Sequence, residues 1–268
     1  MYLSIDETAG SAGPVPYDKV LRTNQGEMLE LGLADRYEKG SLLWWNADYT
    51  HYQVLNVIPD YDYYLFVEYD ACILGSIAEF ANAAILSGVE TVFHPRDDLD
   101  GWWWTRFHKN LYSSEEFRGA LNCVLMHSNR ALRYLWQRRR EMSRRTDIDF
   151  WPLSETFVPT ELHRGGFATA PLSRFGDLSR YHWFPPILED DLDMLGVQEP
   201  AFVHPVRDKA GYIASLLANT HAVKDYFLPG SPMRQALARF PGEVTRGRLY
   251  RAALARGRTA LRERLGAP

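Results

Sequence analysis

The segment Tyr61-Asp62-Tyr63-Tyr64-Leu65-Phe66-Val67-Glu68-Tyr69-Asp70-Ala71-Cys72-Ile73 decides the fold. A turn at Pro59-Asp60 precedes it, a run of aromatic and branched residues favours a strand, and two carboxylates arrive at its downstream end. Strand alternation predicts Glu68 and Asp70 on one face. Two acids so placed repel each other and lose hydration, which calls for an Arg or Lys, a bound cation, or protonation of one acid. A divalent ion meets that need with few protein ligands, because Mg²⁺ or Mn²⁺ takes one or two carboxylates and completes its shell with diphosphate oxygens. If only one acid faces inward, the pair reduces to a turn cap and a solvated charge.

The chain has 268 residues and is 46% hydrophobic, enough for one large α/β domain or two small ones, of which one is favoured. Its net charge of −4 is unevenly spread: residues 244–268 carry seven Arg against the single Glu263, which leaves about −10 on the remainder. The body lacks a basic stripe with interleaved aromatics, so nucleic acid is excluded as its partner. Two cysteines, Cys72 and Cys123, do not make a disulfide framework. With no secretory signal and no apolar run of membrane-spanning length, the expectation is a soluble, cytoplasmic protein.

Upstream of the central strand, Tyr2 to Asp6 alternates like a short strand and 7–16 reads as a loop. Ser41 is placed to cap one helix running from Leu42 through Tyr52. Trp45, Tyr49 and Tyr52 share a face of it, and Asn46 and Asp48 stand among them as polar groups for a ligand, for packing or for capping. Downstream, Ile77–Leu86 reads as a helix stopped at Gly88, and Thr91-Val92-Phe93-His94 as a strand. Trp102-Trp103-Trp104 cannot all face one core, which leaves at least one ring for a surface or a groove. The longest helical pattern runs from Glu115 to about Met142, with Arg138-Arg139-Arg140 as its solvated cationic end. Cys123 and His127 are read as packing residues of that helix, since no second ligand pair accompanies them.

Two further stretches carry chemistry. In Phe150-Trp151-Pro152-Leu153-Ser154-Glu155-Thr156-Phe157, burial of Glu155 among apolar neighbours would raise its pKa and make it a proton acceptor near neutral pH; the alternative is a helix N-terminus organised around Ser154. Ala201-Phe202-Val203-His204-Pro205-Val206-Arg207 reads as a final strand that delivers His204, with Arg207 and Lys209 close behind. Residues 165–200, rich in Gly, Pro, Asp and aromatics, read as irregular.

Trp44-Trp45-Asn46-Ala47-Asp48-Tyr49, then Pro59 to Tyr64 running into Glu68-Tyr69-Asp70, then Glu155 in its aromatic and proline setting, then His204-Pro205-Val206, resemble in their order the GT-A type of nucleotide-diphospho-sugar glycosyltransferase. The resemblance spans residues 41–208 and is closest to poorly characterised bacterial members. It implies a Rossmann-like α/β domain over 1–210 with a mixed central sheet, followed by a helical region over 211–268. It also implies that Glu68-Tyr69-Asp70 stands as a DxD-like motif and that Glu68, Asp70 and His204 hold Mn²⁺ or Mg²⁺ on the donor diphosphate. Glu155 would then be the base for an acceptor hydroxyl. Arg207 and Lys209 would neutralise phosphate, Asp6, Asn46 and Asp48 would line the donor site, and the three tryptophans would meet a glycan or lipid-linked acceptor. GT-A domains place a longer nucleotide-binding segment before this motif, whereas 67 residues precede Glu68, so the first β-α unit is expected to be lacking. A non-catalytic relative that binds a glycan or a protein, and a metal-dependent phosphohydrolase, are the competing classes.

In the tail, Tyr250, Leu254, Gly257, Leu261 and Leu265 form one helical stripe with arginines around the rest. The pattern fits either a solvated helix or a peripheral contact with an anionic inner-membrane surface.

Overall fold

The computed structural model describes residues 1–99, 102 and 111–265, the last three by backbone alone. In chain order the elements are β1 (Leu3–Asp6), β2 (Val20–Thr23), α1 (Gln25–Glu30), α2 (Leu42–Trp45), α3 (Asp48–Val57), β3 (Tyr63–Val67), β4 (Cys72–Leu74) and α4 (Ile77–Leu86). There follow β5 (Thr91–Arg96), β6 (Gly119–Ser128), α5 (Asn129–Ser143), α6 (Ser154–Arg164), β7 (Thr169–Pro171), β8 (Asp177–Tyr181) and β9 (Ile187–Leu188). The chain closes with β10 (Ala201–His204), β11 (Val206–Arg207), α7 (Lys209–Asn219), α8 (Pro232–Leu237) and α9 (Arg246–Leu265). It is a mixed α/β protein, and no described helix is long and apolar enough to cross a membrane.

Two compact units divide the chain: residues 1–68 with 76–176, and residues 69–75 with 177–268. Residue 210, where the sequence reading places a boundary, lies inside the second unit. In the first unit a four-stranded mixed sheet runs in the order β3-β6-β5-β7, antiparallel except for β5 with β7. β1 and β2 form a separate parallel pair.

The segment from Glu115 to Met142 is not one helix. Its first part is the strand β6, buried along its whole length between β3 and β5, and the helix α5 begins only at Asn129, where Ser128 caps it by accepting from Ala131 N. A strand buried on both faces loses its period-2 alternation, and Leu121, Val124 and Leu125 then imitate a helical spacing that runs on into the true helix. The single helix expected over 42–52 is likewise two, α2 and α3, because the Asn46 side chain donates to Leu42 O and closes the first one. By contrast α4 begins and stops where the sequence indicates: Ser76 caps it and Gly88 follows at φ +73°.

The first unit's core gathers around a buried ion pair. The sequence places Arg139 at a solvated helix end, yet it is fully buried. It donates from Nε and NH2 to both oxygens of Asp48 at 2.7 and 3.0 Å, and from NH1 to Pro152 O at 3.0 Å. Its guanidinium lies 3.8 Å from the centre of the Phe157 ring. Arg139 falls on the same helical face as Leu132, Leu135 and Met142, all buried, so the three-arginine run straddles the core and only its flanking members reach the surface region.

His51 and His127 are buried beside this core, His51 stacked on Phe66 at 3.8 Å and His127 Nδ1 3.2 Å from Thr91 Oγ1. Burial pushes both pKa values down to about 3. Both groups stay neutral in the fold and gain protons only when it opens, so stability present at pH 7 is lost as pH falls below about 6.5, by roughly 1–2 kcal/mol per histidine at pH 5. Urea midpoints at pH 7 and pH 5 measure this. His127→Asn should remove about half of the dependence, and an equal midpoint at both pH values would refute the account.

In the second unit β10 lies between β4, antiparallel, and β8, parallel, while β11 pairs with β9. β8 arises inside the stretch read as irregular: Asp177–Tyr181 is mostly polar and becomes a strand through its pairing with β10. Leu216, Leu217, Tyr226, Met233, Leu237, Leu249 and Ala253 form this unit's apolar cluster.

Candidate functional site

The second unit brings Asp70, His204 and Arg207 together. β3 ends at Val67, so the alternation that would align Glu68 with Asp70 stops before either of them, and residues 69–70 form a turn. Asp70 is buried and Glu68 is exposed, so the expected shared face gives way to the other reading of the pair, one acid inward and one solvated. The turn is fixed by Val206 N donating to Asp70 O at 2.7 Å. Arg207 NH2 donates to Asp70 Oδ2 at 2.6 Å, its NH1 donates to the Tyr69 hydroxyl, and its guanidinium stacks 5.0 Å from the Tyr69 ring centre. The cation that the buried acid requires is therefore supplied within the chain by Arg207.

His204 ends β10, buried, with its ring 5.8 Å from that of Tyr181. Its Nδ1 lies 2.8 Å from His182 O. A carbonyl can only accept, so Nδ1 carries the proton and donates, and in the neutral ring Nε2 is left with a lone pair. Burial holds the His204 pKa below the ordinary histidine value, against the opposing pull of the Asp70 charge. Nε2 therefore presents electrons 3.7 Å from the electron-rich Asp70 Oδ2. Bonds of about 2.1 Å reach both atoms only at an angle wider than that of adjacent octahedral ligands, and Oδ2 already accepts from Arg207, so a divalent ion would draw the two donors closer and share Asp70 with the guanidinium. One carboxylate and one imidazole form a small donor set, suited to an ion that brings further ligands with its substrate.

In the first unit, Glu155 stands in the first turn of α6, which is seated against β6 by Arg118 N donating to Thr160 Oγ1 at 3.0 Å and Thr160 Oγ1 donating to Arg118 O at 3.1 Å. Some of the Glu155 side chain still reaches solvent. Its pKa is nevertheless pushed up to about 8, first by burial and then by the charge of Glu68, with Arg96 pulling the other way. Arg96 in turn lies over the half-buried Trp102 ring at 4.4 Å. Glu68 N donates to Cys123 O at 2.9 Å, which prolongs the β3–β6 ladder by one bond, and a Glu68 carboxylate oxygen lies within 4.8 Å of Cys123 Sγ. An acid poised near pH 8 exchanges a proton readily under neutral conditions.

Comparison with family models, with curated proteins and with solved structures gives no match.

The remaining expected residues are scattered. Asn46 is buried, donates to Arg36 O and Leu42 O, and accepts from Trp151 Nε1, so its polar atoms serve the core. Asp48 is taken up by Arg139 and by the Tyr52 hydroxyl. Asp6, exposed at the end of β1, accepts from Thr8 N and Thr8 Oγ1 in a local turn. Lys209 pairs with Glu243 at 2.7 Å on the surface. Trp102 packs beside the first unit's core, while Trp103 and Trp104 lie outside the described residues. The sequence reading missed Tyr69, whose hydroxyl receives the Arg207 hydrogen bond, and His182, whose carbonyl sets the His204 tautomer. Tyr69 sits between the two acids and could have been singled out. His182 carries no local signal, because its role depends on a strand pairing 22 residues away.

Proposed function

We propose that the chain is a metal-dependent glycosyltransferase that moves a sugar from a nucleotide-diphosphate donor to a glycan or lipid-linked acceptor. The observation that carries this reading is the Asp70–His204 pair, a buried carboxylate oxygen and an imidazole lone pair facing each other at 3.7 Å. Mn²⁺ or Mg²⁺ bound there would neutralise charge on the departing nucleoside diphosphate. Arg207 orients Asp70 and brings a guanidinium suited to phosphate oxygens. If the transfer inverts configuration, Glu155 of the first unit is the group with a pKa suited to take the acceptor hydroxyl's proton. The order of the motifs, which resembles the GT-A pattern, supports the same assignment. The Arg207–Asp70 ion pair favours a second reading, a non-catalytic relative that binds a glycan or protein without metal, because the acid is already neutralised.

Calorimetric titration of a nucleoside diphosphate panel, with and without Mn²⁺, separates the two. Transfer predicts Mn²⁺-dependent binding that weakens about tenfold or more in Asp70→Asn, the cost of one charge-assisted contact. A thermal melt establishes that the variant is folded. Absence of Mn²⁺-dependent binding by the folded wild-type protein would remove the transferase reading.

A further inference from the structure

The long C-terminal helix α9 is seated on the second unit by Leu249, Ala252 and Ala253, which pack with residues of α7 and α8. Successive residues turn by about 100°, so Tyr250, Leu254 and Leu261 fall within about 40° of one another on a stripe rotated about 100° from Leu249 and Ala253. That stripe is solvent-exposed, at 61%, 58% and 58% of each residue's surface. It is the stripe legible in the sequence, and the core uses a different one. Phe227 and Leu228 extend it: both are about half exposed, and the Phe227 ring meets Tyr250 edge to face at 5.3 Å.

A second row, Arg251, Arg258 and Arg262, lies about 80° further round the helix. All three are exposed, and none forms an ion pair among the described residues. Residues 244–268 hold seven arginines to one acid, while the whole chain carries −4. An apolar strip of this size with a cationic margin matches a partner that is itself apolar below an anionic rim. Long arginine side chains keep their heads at such a rim while their stems cover apolar surface, and tyrosine favours the same depth.

We propose that α9, with Phe227 and Leu228, docks the protein on an anionic lipid surface, the Tyr250–Leu254–Leu261 stripe entering the headgroup boundary and Arg251, Arg258 and Arg262 facing the lipid phosphates. The helix lies in the plane of the surface and does not cross it. This inference is independent of the transferase reading, since it uses none of the residues assigned to that chemistry.

Co-sedimentation of the full chain with phosphatidylcholine vesicles, with and without about 30% phosphatidylglycerol, tests it. Binding to the anionic vesicles should exceed binding to the neutral ones by about tenfold or more and fall as salt rises. Leu254→Gln with Leu261→Gln should lose most of the binding at unchanged melting temperature, because both side chains are already exposed. Arg251→Gln, Arg258→Gln and Arg262→Gln together should abolish the preference for anionic lipid. Binding that survives the double leucine variant would reveal a purely electrostatic anion surface and overturn the docking. A dimer in light scattering that the leucine variant dissociates would assign the stripe to a second copy of the chain, with the same consequence.

Discussion

Glu155→Gln is expected to slow sugar transfer by about 10²- to 10⁴-fold, the usual contribution of a positioned base, while nucleoside diphosphate binding stays within a few-fold of wild type. The pKa of about 8 makes the form of the dependence specific. Below that value the carboxyl is protonated and cannot accept the acceptor's proton, so wild-type turnover should rise through about pH 8 and level off above it, and the variant should lose this limb. A stability readout tests the same residue without any substrate. Glu155 keeps its proton in the fold to higher pH than in the open chain, so stability is fully present below about pH 4.5 and is lost as pH rises through about 8. Gln has no proton to lose. Partial solvent contact at Glu155 reduces the cost of its charge, so we expect the variant to gain about 1–3 kcal/mol over wild type at pH 9 and little at pH 4.5. Melting curves for both proteins across that range measure the difference. Parallel curves would contradict the burial argument, and transfer retained within a few-fold would show that Glu155 is not the base.

Glu155 was legible because its signal is local. An acid flanked by Trp151, Pro152, Leu153 and Phe157 is carried into a low-dielectric setting by its neighbours, whatever element they form. The same holds for β3, whose five residues are aromatic or branched, and for α4, which is marked by a serine at one end and a glycine at the other. Signals failed where a residue's partner is distant. β6 lost its alternation because residues on both of its faces are buried, and Asp177–Tyr181 is a strand only because β10 lies beside it. The sequence leaves two readings of Glu68 and Asp70, a shared face or one acid inward and one solvated, and the turn at residues 69–70 gives the second. The acid that remained inward then found the arginine that the charge argument required, in Arg207, which sequence order had assigned to phosphate instead.

Asp48→Ala should be the most destabilising single substitution in the first unit, at about 3–5 kcal/mol, because it leaves the Arg139 guanidinium buried with Phe157, Tyr49 and Trp151 around it and no carboxylate to meet. Pro152 O and the ring faces would still stabilise the cation, but a carbonyl and three rings replace only part of a two-point charged contact. Arg139→Lys should also cost stability, since a single ammonium cannot span both oxygens of Asp48 and reach Pro152 O as well. Asp48→Leu combined with Arg139→Met behaves differently. Removing both charges also removes both desolvation penalties, and we expect the double variant to recover most of the loss, with a coupling of about 2 kcal/mol or more between the sites. Urea denaturation of Asp48→Leu, Arg139→Met and the double variant closes the cycle, and additive losses would mean that the pair does not act as a unit. If recovery is complete, the pair serves position more than stability: one arginine fixes α3 through Asp48, the approach to α6 through Pro152, and α6 itself through Phe157. Those are the contacts that settle where the first turn of α6, and with it Glu155, stands in the first unit. A double variant as stable as wild type that still shows a shifted Glu155 titration would establish that positioning role.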